Sequence, residues 1–207
     1  MNNTEDNNVV RIALLKAASE LFLEKDFHSA SLREISKRAN TSSAMINYYF
    51  KSKHGLFEEM IKSQCSKILN AYLTSLQESD QPDYTVMIKS LIKVYRDNPG
   101  MAQFTLKTMS IQSGPGSQYL KDCFNFEKHF VQQRMQEMKQ QGNIRENVDS
   151  EVIRILMICV TLLPGYMEAG MKNMVGNEEY QEFEEKFVNF VGQIIQSAVY
   201  TDENILK

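Results

Sequence analysis

The 207-residue chain has no tryptophan, three cysteines, nine glycines and four prolines. Glycine and proline together reach only about half their usual share. So few breakers, beside abundant Met, Leu, Lys, Glu and Gln, favour a mostly helical protein. The three cysteines, Cys65, Cys123 and Cys159, are odd in number and widely spaced. They form no C-x-x-C pair and no disulfide framework, and read as reduced thiols. No basic and apolar leader opens the chain; Met1 to Asn8 is polar and acidic. The longest apolar run, Ile155 to Leu163, is interrupted by Thr161 and stopped by Pro164. It falls short of the roughly 18–20 residues of a membrane span. What is present is ordinary for a globular protein: 43% hydrophobic and 24% charged residues, enough to exclude a disordered or fibrous chain.

The net charge is −3, but it is unevenly placed. Residues 9–55 hold eight bases (Arg11, Lys16, Lys25, Arg33, Lys37, Arg38, Lys51, Lys53) against four acids (Glu20, Glu24, Asp26, Glu34). The rest, beyond the acidic tail, carries an excess of acids. A basic head on an acidic body suggests a polyanion at one end.

Periodicity predicts a helix over Val9–Lys25, with Ile12, Leu15, Ala18 and Phe22 as its apolar stripe. Asp26-Phe27-His28 breaks it. Ser29 or Ser31 caps a second helix with Leu32, Ile35 and Ala39 inward. Asn40-Thr41 turns, and Ser42 caps a short third helix to Phe50. Ser52 caps a fourth through Leu76. Further helices are predicted over Tyr84–Asp97, Met101–Gln112, Ser117–Gln141 (ended by Gly142), from Asp149 or Ser150 with a kink near Pro164-Gly165, and over Glu178–Ala198. The expected fold is all-α, with about nine helices: a three-helix helix-turn-helix head and a C-terminal helical bundle. The expected division is a disordered tail 1–8, a DNA-binding domain 9–55, and an effector and dimerisation domain 56–207.

The third helix is the natural reader. Ser43, Ala44, Asn47 and Tyr48 share one face, while Ile46 and Phe50 share the opposite face and anchor it to Leu32 and Ile35. Small residues at its start allow close approach to base edges, and donors nearby reach phosphates. Lys53 also lies at a helix N-terminus, which favours phosphate. Tyr48, Tyr49 and Phe50 are consecutive and cannot all face the core. His28 and His54 read as loop and cap residues rather than ligands.

Arg11 to Lys53 resembles the DNA-binding domain of the tetracycline-repressor (TetR) family. The matching stretches are Ala17-Ala18-Ser19-Glu20-Leu21-Phe22, Ser31-Leu32-Arg33-Glu34-Ile35-Ser36, and Asn47-Tyr48-Tyr49-Phe50-Lys51-Ser52-Lys53 followed by Leu56. The resemblance implies that Arg33 reaches a base edge or nearby phosphate. It implies that Ser43, Ala44, Met45 and Tyr48 lie in the major groove, beside the cap Ser42, and that Asn47, Tyr49 and Lys53 hold phosphates. Asp26 and Asn40 stand where the family usually has glycine, at turns expected to need a positive φ. Asn47 replaces a tyrosine common there.

The resemblance also implies a body that binds a small effector and dimerises through its last two helices. Independently, Val152–Leu163 is read as apolar all round and needs cover on every side. The last helix offers Phe187, Phe190, Val191, Ile194 and Ile195. The expected dimer interface is therefore these five with Val152, Ile155, Cys159 and Leu162. Candidates for an adaptable apolar effector cavity are Tyr72, Met87, Leu91, Tyr95, Phe104 and Thr105, with Met109, Phe124, Phe126, Phe130, Met157 and Thr161. Tyr95, Thr161 or Glu168 would orient the ligand.

No G-x-S-x-G, P-loop or Rossmann glycine pattern occurs, and three His form no metal-binding spacing. No enzyme activity, cofactor or metal is expected. The sequence points to a cytoplasmic, homodimeric, ligand-responsive regulator that binds double-stranded DNA, a repressor released from a palindromic operator. The alternative is a helical dimeric adaptor or ligand-binding protein without operator-specific DNA binding.

Overall fold

A computed structural model describes residues 3–77, 79, 81–98, 100–109 and 117–201. Among these the chain forms nine helices: α1 Asn3–Glu24, α2 Leu32–Arg38, α3 Ser43–Phe50, α4 Lys53–Gln77, α5 Tyr84–Asp97, α6 Met101–Met109, α7 Ser117–Gln140, α8 Ser150–Val175 and α9 Asn177–Val199. The all-α expectation holds. The stop predicted after Gln112, at Ser113-Gly114-Pro115-Gly116, lies outside the described residues.

The chain divides into two compact units, Met1–Ser66 with Gln103–Cys123, and Lys67–Ala102 with Phe124–Lys207. In the first, α1 buries Leu14, Ala17, Ala18, Leu21 and Phe22, the i, i+3, i+4, i+7, i+8 pattern of a helix face. The predicted stripe began on the wrong residue: Ile12 is exposed. Nor is the whole tail unstructured, since α1 starts at Asn3. Once a packed segment has nucleated, extending a helix costs little per residue, and no Pro or Gly interrupts residues 3–8. The α1 stripe packs with Ile35, Ile46 and Phe50, and also with Leu56, Phe57, Met60, Ile61 and Phe104. This unit therefore reaches beyond residues 9–55.

In the second unit α5 buries Tyr84, Met87, Ile88, Leu91, Ile92 and Tyr95 on one face. Asp83 caps it by accepting from the amides of Thr85 at 2.7 Å and Val86 at 3.1 Å. Asp149 caps α8 in the same way. Gly142, at φ 73°, ends α7 as predicted. Pro164, near which a kink is predicted, lies inside α8, which is continuous over 26 residues. At that length it is apolar enough, by composition alone, to cross a membrane. Ile153, Met157, Thr161 and Leu162 are instead buried in its own unit. Arg154, also buried, breaks the predicted apolar surround of Val152–Leu163: it pairs with Glu127 at 2.7 Å and with Glu151 at 2.7 Å.

Candidate nucleic-acid interface

The helix-turn-helix is built by local signals. Ser31 accepts from the Glu34 amide at 3.1 Å, and Glu34 accepts from the Ser31 amide at 3.2 Å, a reciprocal capping box that starts α2. Lys25 adds a 2.5 Å ion pair to Glu34. That ammonium, then the Ser31 hydroxyl and amide, hold the Glu34 carboxyl down at about 2. Arg38 grips Glu24 through two hydrogen bonds of 2.7 and 2.5 Å, tying the end of α2 to α1. The turn between α2 and α3 places Asn40 at φ 51°, as predicted. Asp26 does not have a positive φ; its carboxylate accepts from the Ser29 amide and hydroxyl at 2.8 and 3.0 Å. The unforeseen positive φ is at Lys51, 65°.

Helix α3 turns Ile46 and Phe50 inward and leaves Ala44, Asn47 and Tyr48 exposed, Tyr48 by 68%. Arg33 on α2 is exposed too and makes no ion pair among the described residues. These four exposed residues offer a small apolar side chain, an amide, an aromatic hydroxyl and a guanidinium, side-chain types that can meet a DNA groove. Ser42 is exposed at the N-cap but makes no side-chain cap hydrogen bond. The remaining predicted contacts are partly committed to the head itself. Ser43 Oγ lies 3.0 Å from Ser36 Oγ. Met45 and Tyr49 are half-buried against the core. Lys53 Nζ donates to the His28 carbonyl at 3.2 Å and sits 4.7 Å from the Phe27 ring centroid. Two of its three ammonium hydrogens stay available for a phosphate. His28 and His54 both lie edge-on to Phe27, in keeping with loop and cap roles.

Residues 14–60 match the family of bacterial regulatory proteins named for the tetracycline repressor, TetR. That stretch carries a TetR-type DNA-binding domain. The match spans the helices just described, so the chain is a DNA-binding transcriptional regulator rather than an enzyme. It is 26% identical over 153 residues to the HTH-type transcriptional regulator UidR of Escherichia coli K12, covering 73% of this chain and 77% of UidR. Its fold is similar to FadR of Bacillus subtilis, solved in complex with stearoyl-CoA, with TM-score 0.69, 15% identity, and 91% of this chain and 99% of that one covered. Salmonella enterica GusR is similar at TM-score 0.68 and 20% identity, over 92% of this chain and 95% of that one.

The body residues expected to line an effector cavity do not all come together. Tyr72, Met87, Leu91 and Met157 share one buried cluster, with Phe130 packed against it. Tyr95 lies in a second, with Leu162. Phe104 is buried in the first unit, in the core with Phe22 and Phe57; Thr105 and Met109 follow it in that unit, Met109 exposed. Phe124 faces Arg154, whose guanidinium is 5.8 Å from its ring centroid, and Phe126 is exposed. The Thr161 hydroxyl donates to Met157 O at 2.7 Å, and Glu168 pairs with Lys172 at 2.5 Å and Arg96 at 3.4 Å. Two surface clefts, of about 390 and 400 Å³, are lined instead mainly by charged and amide side chains; of the predicted set only Phe130 borders either.

Of the expected dimer residues, Val152, Ile155, Cys159, Phe190 and Ile194 are exposed. Phe187 and Val191 are half-buried against the core. Leu162 and Ile195 are corrections: at 4% and 1% exposure they serve the protomer's own interior. A helix apolar on several sides does not announce which side its own unit covers. Leu163 and Phe183 are exposed as well, and Tyr166, Met167 and Met174 are exposed apolar residues that the sequence reading missed.

Proposed function

We propose that this regulator is a cytoplasmic homodimeric repressor that binds a palindromic operator and is released by a small, mainly apolar effector. Residues 9–55 serve as the reading domain and 56–207 as the effector and dimerisation domain. The observation that carries the dimer is the apolar surface on α8 and α9, where Val152 is 63%, Met174 73% and Phe190 66% exposed. Such surface on a protein without a membrane role marks an interaction site. One α3 reads only a few base pairs; two related by a twofold axis read successive major grooves about 34 Å apart.

Arg33, Ala44, Asn47 and Tyr48 read bases or adjacent phosphates, and Lys53 and Tyr49 hold the backbone. The buried Met87, Met157 and Leu91 offer a polarizable apolar lining. FadR, of similar fold, holds stearoyl-CoA, a ligand with a long apolar chain. The effector acts by binding one spacing of the two heads better than another; contact alone shifts nothing.

The test is selection of binding sequences from a random DNA pool by the purified protein, with its mass measured by light scattering. A palindrome bound by a dimer is the expected result. A monomer, or a pool that stays random, removes the reading.

A further inference from the structure

Two tyrosine hydroxyls are buried without partners in the second unit. Tyr72 on α4 and Tyr84 at the start of α5 are 6% and 2% exposed within one apolar cluster. Neither hydroxyl has a hydrogen bond among the described residues. A tyrosine hydroxyl taken out of water normally finds a partner, and leaving it unpaired is costly. Burial raises both hydroxyls; the Glu127 carboxylate and then Tyr84 push Tyr72 further up, so the three groups are neighbours. Glu127 on α7 is itself only 13% exposed. Arg154 Nη1 donates to its Oε2 at 2.7 Å, and its Oε1 has no hydrogen bond among the described residues.

The Glu127 carboxylate is also poorly neutralised. Its one guanidinium partner, Arg154, is shared: Glu151 takes Nε and Nη2 through both of its oxygens, at 2.9 and 2.7 Å. Burial, joined by the charge of Glu151, raises the Glu127 carboxyl in spite of Arg154. A second anion entering here would add like charge out of water, whereas a cation would relieve the charge already there. The buried Met87 and Met157 of the same cluster supply polarizable apolar surface.

We propose that Tyr72, Tyr84 and Glu127 receive the ammonium group of a mainly apolar amine. The proposal rests on the effector-binding reading above and names the chemical class of the effector. An ammonium carries three donors and no acceptor. Two phenolic oxygens and Glu127 Oε1 are three acceptors that no donor among the described residues occupies. Arg154 is then a positioning residue: by holding Oε2 it fixes the carboxylate with Oε1 free. A neutral alcohol could use the hydroxyls but would leave the charge of Glu127 as it is.

The probes are hexylammonium, hexanol and hexanoate, equal in chain length, titrated into the full chain by calorimetry at matched ionic strength. Hexylammonium is expected to bind about tenfold more tightly than hexanol or better, with hexanoate weakest, because a hydrogen bond to a buried charge outweighs a neutral one by about that factor. Glu127→Gln keeps the shape and should cut hexylammonium affinity about tenfold while leaving hexanol within about threefold. Tyr72→Phe removes only a hydroxyl and should weaken hexylammonium several-fold; it carries the test should Glu127→Gln lose helical circular dichroism. No binding of hexylammonium, equal binding of the three probes, tighter binding of hexanoate, or an ammonium preference that survives substitution in the folded protein overturns the proposal. Operator affinity is read separately. Hexylammonium that binds with this preference but does not release operator DNA leaves the amine site standing and removes the effector role.

Discussion

Ser36 and Ser43 meet hydroxyl to hydroxyl at 3.0 Å, joining α2 to the first turn of the reading helix. Ser36 is buried, and its hydroxyl also lies within donating distance of the Arg33 carbonyl, at 3.1 Å. A residue first read as a groove contact is thereby a fastener that sets the angle between the two helices. Ser43→Ala is expected to cost about 0.5–1.5 kcal/mol of stability, the net worth of one such bond. It should weaken binding to every operator variant alike. Urea denaturation and a panel of single-base operator variants check this; altered preference at one base pair alone would restore Ser43 to the groove.

Lys53 faces two demands. Its stem and charge lie over Phe27, its ammonium holds the His28 carbonyl, and its remaining donors are placed for a phosphate. Lys53→Ala should lower head stability modestly and weaken all DNA. Lys53→Met retains the stem. Both should reduce the slope of log affinity against log salt by about 1. An unchanged slope would confine Lys53 to the head's interior. Arg33→Ala, by contrast, breaks no ion pair among the described residues and should cost about 1–3 kcal/mol with relaxed preference if the guanidinium meets a base.

Glu34 gives the head an acid sensitivity of definite sign. Its carboxyl is held near 2 in the fold, against an ordinary value of 4.5, first by the Lys25 ammonium and then by Ser31. A lowered folded pKa contributes stability that is complete above the unfolded value and fades as pH falls through the folded one. The thermal midpoint of the wild type should therefore exceed that of Glu34→Gln above pH 4.5, with the gap closing toward pH 2. Other carboxylates are common to both proteins and cancel. No gap at any pH would mean that the amide replaces the carboxylate in the cap without loss, and a gap that ignores pH would mean that the charge of Glu34 is not what stabilises the head.

In the proposed dimer, the two apolar faces of α9 separate dimerisation from folding. Phe190 is exposed and Ile195 is buried. Phe190→Glu should leave the helical content intact and yield a monomer by light scattering, with operator affinity lost alongside. Ile195→Ala should remain dimeric but lose about 2–5 kcal/mol of stability, the cost of truncating a core isoleucine. A Phe190→Glu protein that stays dimeric would move the interface elsewhere.

Local signals were legible, and choices among faces were not. A cap for α2 at Ser29 or Ser31 was legible, and Ser31 takes it; the positive φ expected from the resemblance holds at Asn40 and fails at Asp26. Ile46 and Phe50 were placed by the helical period. Leu162 and Ile195 were misassigned because α8 and α9 carry apolar residues on more than one side, and only packing decides which side is spent within the unit. Phe104 illustrates the same limit: its neighbours Phe22 and Phe57 are far away in sequence. At Pro164, where a kink is expected, α8 runs on without ending, because packing of the flanking turns can outweigh one missing amide bond.

Lys51 carries no turn signal at all, yet it ends α3 at φ 65° and ψ −34°, with the Ser52 amide donating back to the Phe50 carbonyl at 2.7 Å. That is a γ-turn, a conformation a lysine adopts only under strain. Glycine has no Cβ to resist it. Lys51→Gly should therefore raise stability by about 0.5–1 kcal/mol, the strain relieved outweighing the freer unfolded chain. Lys51→Ala, which removes the charge but keeps the Cβ, should stay within about 0.5 kcal/mol of the wild type. Urea midpoints of the three proteins decide the matter: if the glycine variant is no more stable than the alanine one, the turn is not strained by its side chain, and the sharp exit from the reading helix is set by the packing of Phe50 and Leu56 instead.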